Sequence, residues 1–78
     1  MQRHVRLSLV DGRVVLVGFQ DIHLRDQHNR SAGALTLEQA RELFDAEPEP
    51  QRSSNLDVLQ RHHGAAREAA RGERAEGT

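Results

Sequence analysis

The chain has 78 residues, of which 36% are hydrophobic and 3% aromatic, with a formal net charge of −1. That is about half of a typical domain of ~150 residues, so a single small core is the most it builds and a second folded domain is excluded. It has no cysteine, which removes disulfides, thiolate nucleophiles and Cys-based metal centres and fits a reducing, cytoplasmic setting.

In chain order, Val5, Leu7 and Leu9 alternate with Arg6, Ser8 and Val10, the period of a half-buried strand. Asp11-Gly12 follows, the strongest short hairpin signal, because a two-residue type I′ turn needs positive φ at both central positions. That turn pairs Leu9 with Val14, Leu7 with Leu16 and Val5 with Gly18, and sets Val5, Leu7, Leu9, Val14 and Leu16 on one face. The other face then carries Arg6, Ser8, Val10 and Arg13 beside Val15, Val17 and Phe19. Either the Arg stems lie over this Val-Val-Phe stripe, or a further strand, a tail or a partner covers it.

Gly18, inside the second strand, marks a bulge, a bend or the close approach of another backbone. Ile22-His23-Leu24-Arg25-Asp26 reads as a short third strand, joined by a turn at Gln20 and Asp21. Asp26 to Gly33 has loop composition. Thr36 and Gln39 have the spacing of a capping box, and Leu37, Ala40, Leu43 and Phe44 form the apolar stripe of the helix they open. Pro48 and Pro50 stop that helix. A second helix starts at Ser54 or Asn55 and buries Leu56, Val58 and Leu59. From Gln60 on nothing is larger apolar than Ala, so the end of the chain lacks a stripe that would hold it.

The expected fold is therefore α+β. A small antiparallel three-stranded sheet, a β-hairpin plus a short third strand, is packed by one helix within residues 1–46. A Pro/Ser linker (47–55), a short helix (56–64) and a disordered Ala/Arg/Glu tail (65–78) follow.

All eleven basic residues are Arg, a usage that points to a GC-rich bacterial genome. Residues 1–35 hold five Arg against three Asp, and residues 36–50 hold five acids against Arg41. This imbalance reads as a solvated acidic helix face, and the N-terminal excess is too small for a duplex-binding surface. Arg3, Arg6, Arg13, Arg25 and Arg30 are nonetheless the residues a nucleic-acid-associated accessory protein would use. No Gly-rich phosphate loop is present, and two Phe are the only aromatic rings.

Five histidines, His4, His23, His28, His62 and His63, raise the question of a metal. His23, His28 and Asp26 match no standard ligand spacing, and exposed polar histidines are the expectation; no metal or cofactor is anticipated. Ser31, His28 and Asp26 are close in sequence but sit on a loop without an orienting scaffold, so no enzyme is expected. The core is too small to be comfortable alone, which favours a protein partner or a homo-oligomer. The partner-binding residues expected are Val15, Val17, Phe19 and Arg6, on a chain without a membrane segment.

Leu24-Arg25-Asp26, the polar loop from Gln27 to Ala34, and Leu35-Thr36-Leu37 ahead of an acidic helix resemble a group of short actinobacterial proteins of unknown function. In that group a strand ending in Val-Arg-Asp, a polar loop and a Leu-Thr-Phe or Leu-Thr-Leu step precede an acidic helix, and members often lie beside helix-turn-helix regulators. The likeness spans about residues 13–44 and lacks the Cys and Trp common in the group's first half. It implies a regulatory partner protein, possible in transcription, in place of an enzyme.

Overall fold

A computed structural model describes residues 4–76, with side chains through Arg71. Four strands, β1 (Val5–Ser8), β2 (Val14–Val17), β3 (Ile22–Arg25) and β4 (Ser31–Ala34), precede three helices, α1 (Leu37–Asp45), α2 (Gln51–His62) and α3 (Gly64–Glu76). The strands form one antiparallel meander in the order β1-β2-β3-β4. The α+β class holds. The three-stranded sheet under one helix does not: there is a fourth strand, and there are three helices.

The β1–β2 hairpin forms where Asp11-Gly12 places it, with a turn one residue longer than expected. The Gly12 amide donates to the Leu9 carbonyl at 3.1 Å and the Leu9 amide to the Arg13 carbonyl at 2.8 Å. Val10, Asp11 and Gly12 are thus the three loop residues, with Gly12 in the left-handed region at φ 96°, as in a type I turn followed by a bulge. Asp11 holds the exit, its carboxylate accepting from the Arg13 amide at 3.0 Å and from Arg13 Nε at 2.6 Å.

The extra loop residue moves the register by one, so Val5 faces Val17, Leu7 faces Val15 and Ser8 faces Val14. A slip of one position exchanges the two faces of a strand. Val15 and Val17 consequently point into the core and are 0% exposed, while Leu16 is half-buried opposite Arg6. The core also holds Leu7, Leu9, Ile22, Ala40, Phe44 and Leu59.

The missed strand β4 arises from a repeat of the same turn. The Asn29 amide donates to the Asp26 carbonyl at 3.0 Å and the Asp26 amide to the Arg30 carbonyl at 2.9 Å. Asn29 takes the left-handed position at φ 62°, a place Asn tolerates. Asp26 Oδ1 accepts from the amides of His28 and Arg30, each at 2.9 Å. Gln27 Nε2 donates to the Asp11 carbonyl at 2.8 Å, tying the two turns together.

Helix α1 opens on the expected capping box, with the Gln39 amide donating to Thr36 Oγ1 at 3.1 Å and the Thr36 amide to Gln39 Oε1 at 2.9 Å. The expected linker at 47–55 is largely structured. Helix α2 starts at Gln51, because Glu49 accepts from the Ser53 amide at 2.8 Å and from Ser53 Oγ at 2.5 Å, satisfying first-turn donors. Asn55, expected as a cap, is buried inside α2 and its Nδ2 donates to the Ser8 carbonyl at 3.3 Å. Glu47 is buried too, and its Oε1 accepts from the Val10 amide at 2.8 Å.

The expected disordered tail is helix α3 over Gly64–Glu76, leaving 77–78 outside the described residues. Its start is fastened to the β2–β3 turn: the Gly64 amide donates to the Phe19 carbonyl at 2.8 Å. Helices α1 and α2 supply Ala40, Phe44 and Leu59 to the core beneath the strands, while α3 packs on α2 and is fastened at the β2–β3 turn.

The register makes a direct prediction for urea unfolding. Val15→Ala lowers stability by about 1.5–3 kcal/mol, the cost of emptying a core site. Leu16→Ala, on the other face, lowers it by less than about 1 kcal/mol; the opposite ranking would restore the two-residue turn.

Candidate functional site: the open sheet face and its His-Asp-His cluster

The pairing puts Arg6 and Ser8 of β1, Val14 and Leu16 of β2, and His23 and Arg25 of β3 on the face turned away from the helices. Arg6 is exposed, Leu16, His23 and Arg25 are half-buried, and Val14 is buried. Arg25 donates to the Asn29 carbonyl at 3.0 Å; among the described residues neither Arg6 nor Arg25 forms an ion pair.

At one end of this face the same register brings together three residues that sequence reasoning left apart. Continuing the ladders by one position sets His4 opposite Gly18, and Gly18 opposite Asp21. Gly18 has no side chain, so His4 reaches across the middle strand and its Nε2 donates to both Asp21 oxygens, at 3.0 and 3.1 Å. His23, two residues beyond Asp21 and therefore on the same face, donates from Nε2 to Asp21 Oδ2 at 2.6 Å. The two imidazole rings are 5.9 Å apart.

A Cβ at Gly18 would stand 2.8 Å from His4 Nε2 and closer still to Asp21 Oδ1. No left-handed backbone angle calls for glycine there; the space above it does. Hydrogen bonds from His4 first, and then from His23, hold the Asp21 carboxyl below its ordinary value, since they favour the ionised form.

Of the expected partner-binding residues, Val15 and Val17 are core and form no exposed stripe. Arg6 lies on the open face. Phe19 is 59% exposed at the β2–β3 turn, its ring over the bare Cα of Gly64. Val10, equally exposed, stands at the other end of β2, so the two do not combine into one patch. Among the cations set aside for nucleic acid, Arg13 is engaged by Asp11 and Arg3 lies outside the described residues. Asp26 and His28 build the β3–β4 turn while Ser31 pairs with Arg25 on β4. The two adjacent histidines also divide: His62 is exposed, whereas His63 is buried and donates from Nδ1 to the Gly18 carbonyl at 3.1 Å.

The i, i+2 spacing of Asp21 and His23 is a signal that could have joined them, had Asp21 been read as continuing the third strand and not as part of its turn. His4 carried no such signal, because the two-residue turn would have set Val5 beside Gly18 in its place.

Because its pKa is lowered by folding, Asp21 contributes stability above its unfolded value of about 3.9 and loses it as pH falls through the folded value. Asp21→Asn removes that contribution, so its stability falls less than the parent's between about pH 5 and pH 2. Parallel acid-unfolding curves would show that the carboxylate is not held in this way.

Comparison of the chain with protein-family models, with curated proteins and with solved structures finds no match in any of the three.

Proposed function

We propose that the chain is a small, non-enzymatic interaction module of the cytoplasm that docks a protein partner on its open sheet face. The observation that carries this reading is the one-sided architecture: the helices cover one face, and Leu16 remains half-buried on the other between Arg6 and His23. An apolar centre rimmed by Arg6 and Arg25, neither of which forms an ion pair among the described residues, is a surface for an acidic partner, since Arg is favoured at interfaces and complementary charge steers the encounter.

The charge also argues against self-association through this face. A two-fold contact would bring the same patch against itself, with Arg6 and Arg25 meeting their own copies. A different protein is the better occupant, and the resemblance over residues 13–44 is in keeping with a transcriptional regulator. The small core adds a reason for a partner, because a chain of this length buries little of its surface unaided.

Nucleic acid is the weaker reading. Sheet-face binders stack bases on aromatic side chains, and the two Phe of this chain lie at a turn and in the core. The histidines of the face are committed to Asp21.

The test is affinity capture from the native host with the parent and with Leu16→Glu, Arg25→Glu and, on the exposed side of α1, Arg41→Glu. The expected outcome is one partner retained by the parent and by Arg41→Glu, and lost by at least about tenfold with the two open-face variants. A partner indifferent to both open-face changes overturns the reading. So does duplex DNA binding that weakens steeply with salt.

A further inference from the structure

We propose that His4 Nε2, His23 Nε2 and the Asp21 carboxylate form a binding site for a divalent transition-metal ion of the zinc class on the open end of the sheet. The donor set selects the ion. Imidazole with a single carboxylate suits Zn²⁺ and its first-row neighbours, whereas Ca²⁺ and Mg²⁺ need an oxygen-rich shell. Three protein ligands leave the remaining coordination for water, which the position allows: the side chains are 26% exposed at His4, 37% at Asp21 and 42% at His23.

The geometry is close to what an ion requires. One ligand atom from each residue lies within 4.8 Å of the others, and tetrahedral donors about 2.0–2.1 Å from zinc stand roughly 3.3 Å apart. The present hydrogen bonds also aim the same atoms at one point, since both imidazoles address the carboxylate through Nε2. On binding, each Nε2 is relieved of its proton and the neutral ring carries it on Nδ1.

The second, independent observation is Gly18. The rows His4–Gly18–Asp21 across three strands would be filled at the centre by any other residue, and the missing side chain is what lets ligands from β3 and from the residue before β1 converge. The site thus depends on three positions far apart in sequence that only the observed register aligns. His23 borders Leu16, but neither Leu16 nor Arg25 is a ligand, so a metal titration of the isolated chain tests this site separately from the docking proposal.

The experiment uses the full-length, tag-free chain treated with a chelator and then titrated with Zn²⁺ alone by calorimetry, and with Co²⁺ alone by visible absorption. The expected result is one ion per chain, a raised melting temperature with Zn²⁺, and shifts of the His4 and His23 ring resonances. His23→Gln and Asp21→Asn each weaken binding by at least about tenfold, Gly18→Ala weakens it as well, and His62→Gln leaves it unchanged. Amide spectra confirm that each variant is folded; if one is not, the ring resonances of the parent decide. No binding by the parent, or binding that survives both His23→Gln and Asp21→Asn in folded chains, overturns the proposal.

Discussion

The register of the first hairpin is the constraint on which the rest of the molecule depends. It is set by a loop of three residues, Val10 to Gly12, closed by the Leu9–Arg13 and Gly12–Leu9 backbone bonds. Gly12 occupies a left-handed position that residues with a Cβ rarely adopt. Because the side chains of a strand alternate with period two, that one residue decides which half of Val14-Val15-Leu16-Val17 faces the core under the helices, although Val14 on the other side is buried as well. Val15 and Val17 join Leu7, Ile22 and Phe44 in the core; Leu16 goes to the open face, and His4 comes to stand across from Gly18.

A core this small is helped by long-range polar ties at both ends of the sheet. At one end Glu47 takes the Val10 amide and Asn55 reaches the Ser8 carbonyl, 37 and 47 residues away along the chain. At the other, His63 and the Gly64 amide take the Gly18 and Phe19 carbonyls. Each of these is a main-chain group of a turn or strand end that the ladder leaves unused, and a buried one without a partner is costly. The two turns of the central strand are thereby tied to the helical layer, which fixes the orientation of the sheet beneath helices whose own apolar content is modest.

The legible parts of the fold were those announced by local chemistry. The hairpin at Asp11-Gly12, the capping box at Thr36 and Gln39 and the stripe through Ala40 and Phe44 need only a few adjacent residues to be recognised. The features that were missed depend on contacts made elsewhere. Strand β4 is Ser-Ala-Gly-Ala and wholly exposed, so no hydrophobic pattern marks it; the Asp26 and Asn29 turn creates it. Helix α2 begins early because Glu49 captures Ser53. Among its described side chains helix α3 buries only the small Ala66, at 1% exposure, and its start is fixed by the docking of Gly64 on Phe19. The choice between two- and three-residue turns was not legible either, since Asp-Gly serves both and each register offers an apolar face. Of the candidate site, the sequence pattern places Asp21 in a turn and His23 on the third strand without joining them, and His4 was hidden by the register.

Gly18 is where the two layers meet. Its amide donates to the Asp21 carbonyl at 2.8 Å and closes the β2–β3 turn, its carbonyl receives His63 from the helical side, and its bare Cα gives room to His4 and Asp21 on the open side. The demands are separable, because the two backbone bonds are available to any residue with an N–H and a C=O. Only the third requires the absence of a Cβ. The need for glycine at this point therefore comes from the His-Asp-His cluster and not from folding of the turn, and it is the cluster, on the face the helices leave bare, that the local architecture makes space for.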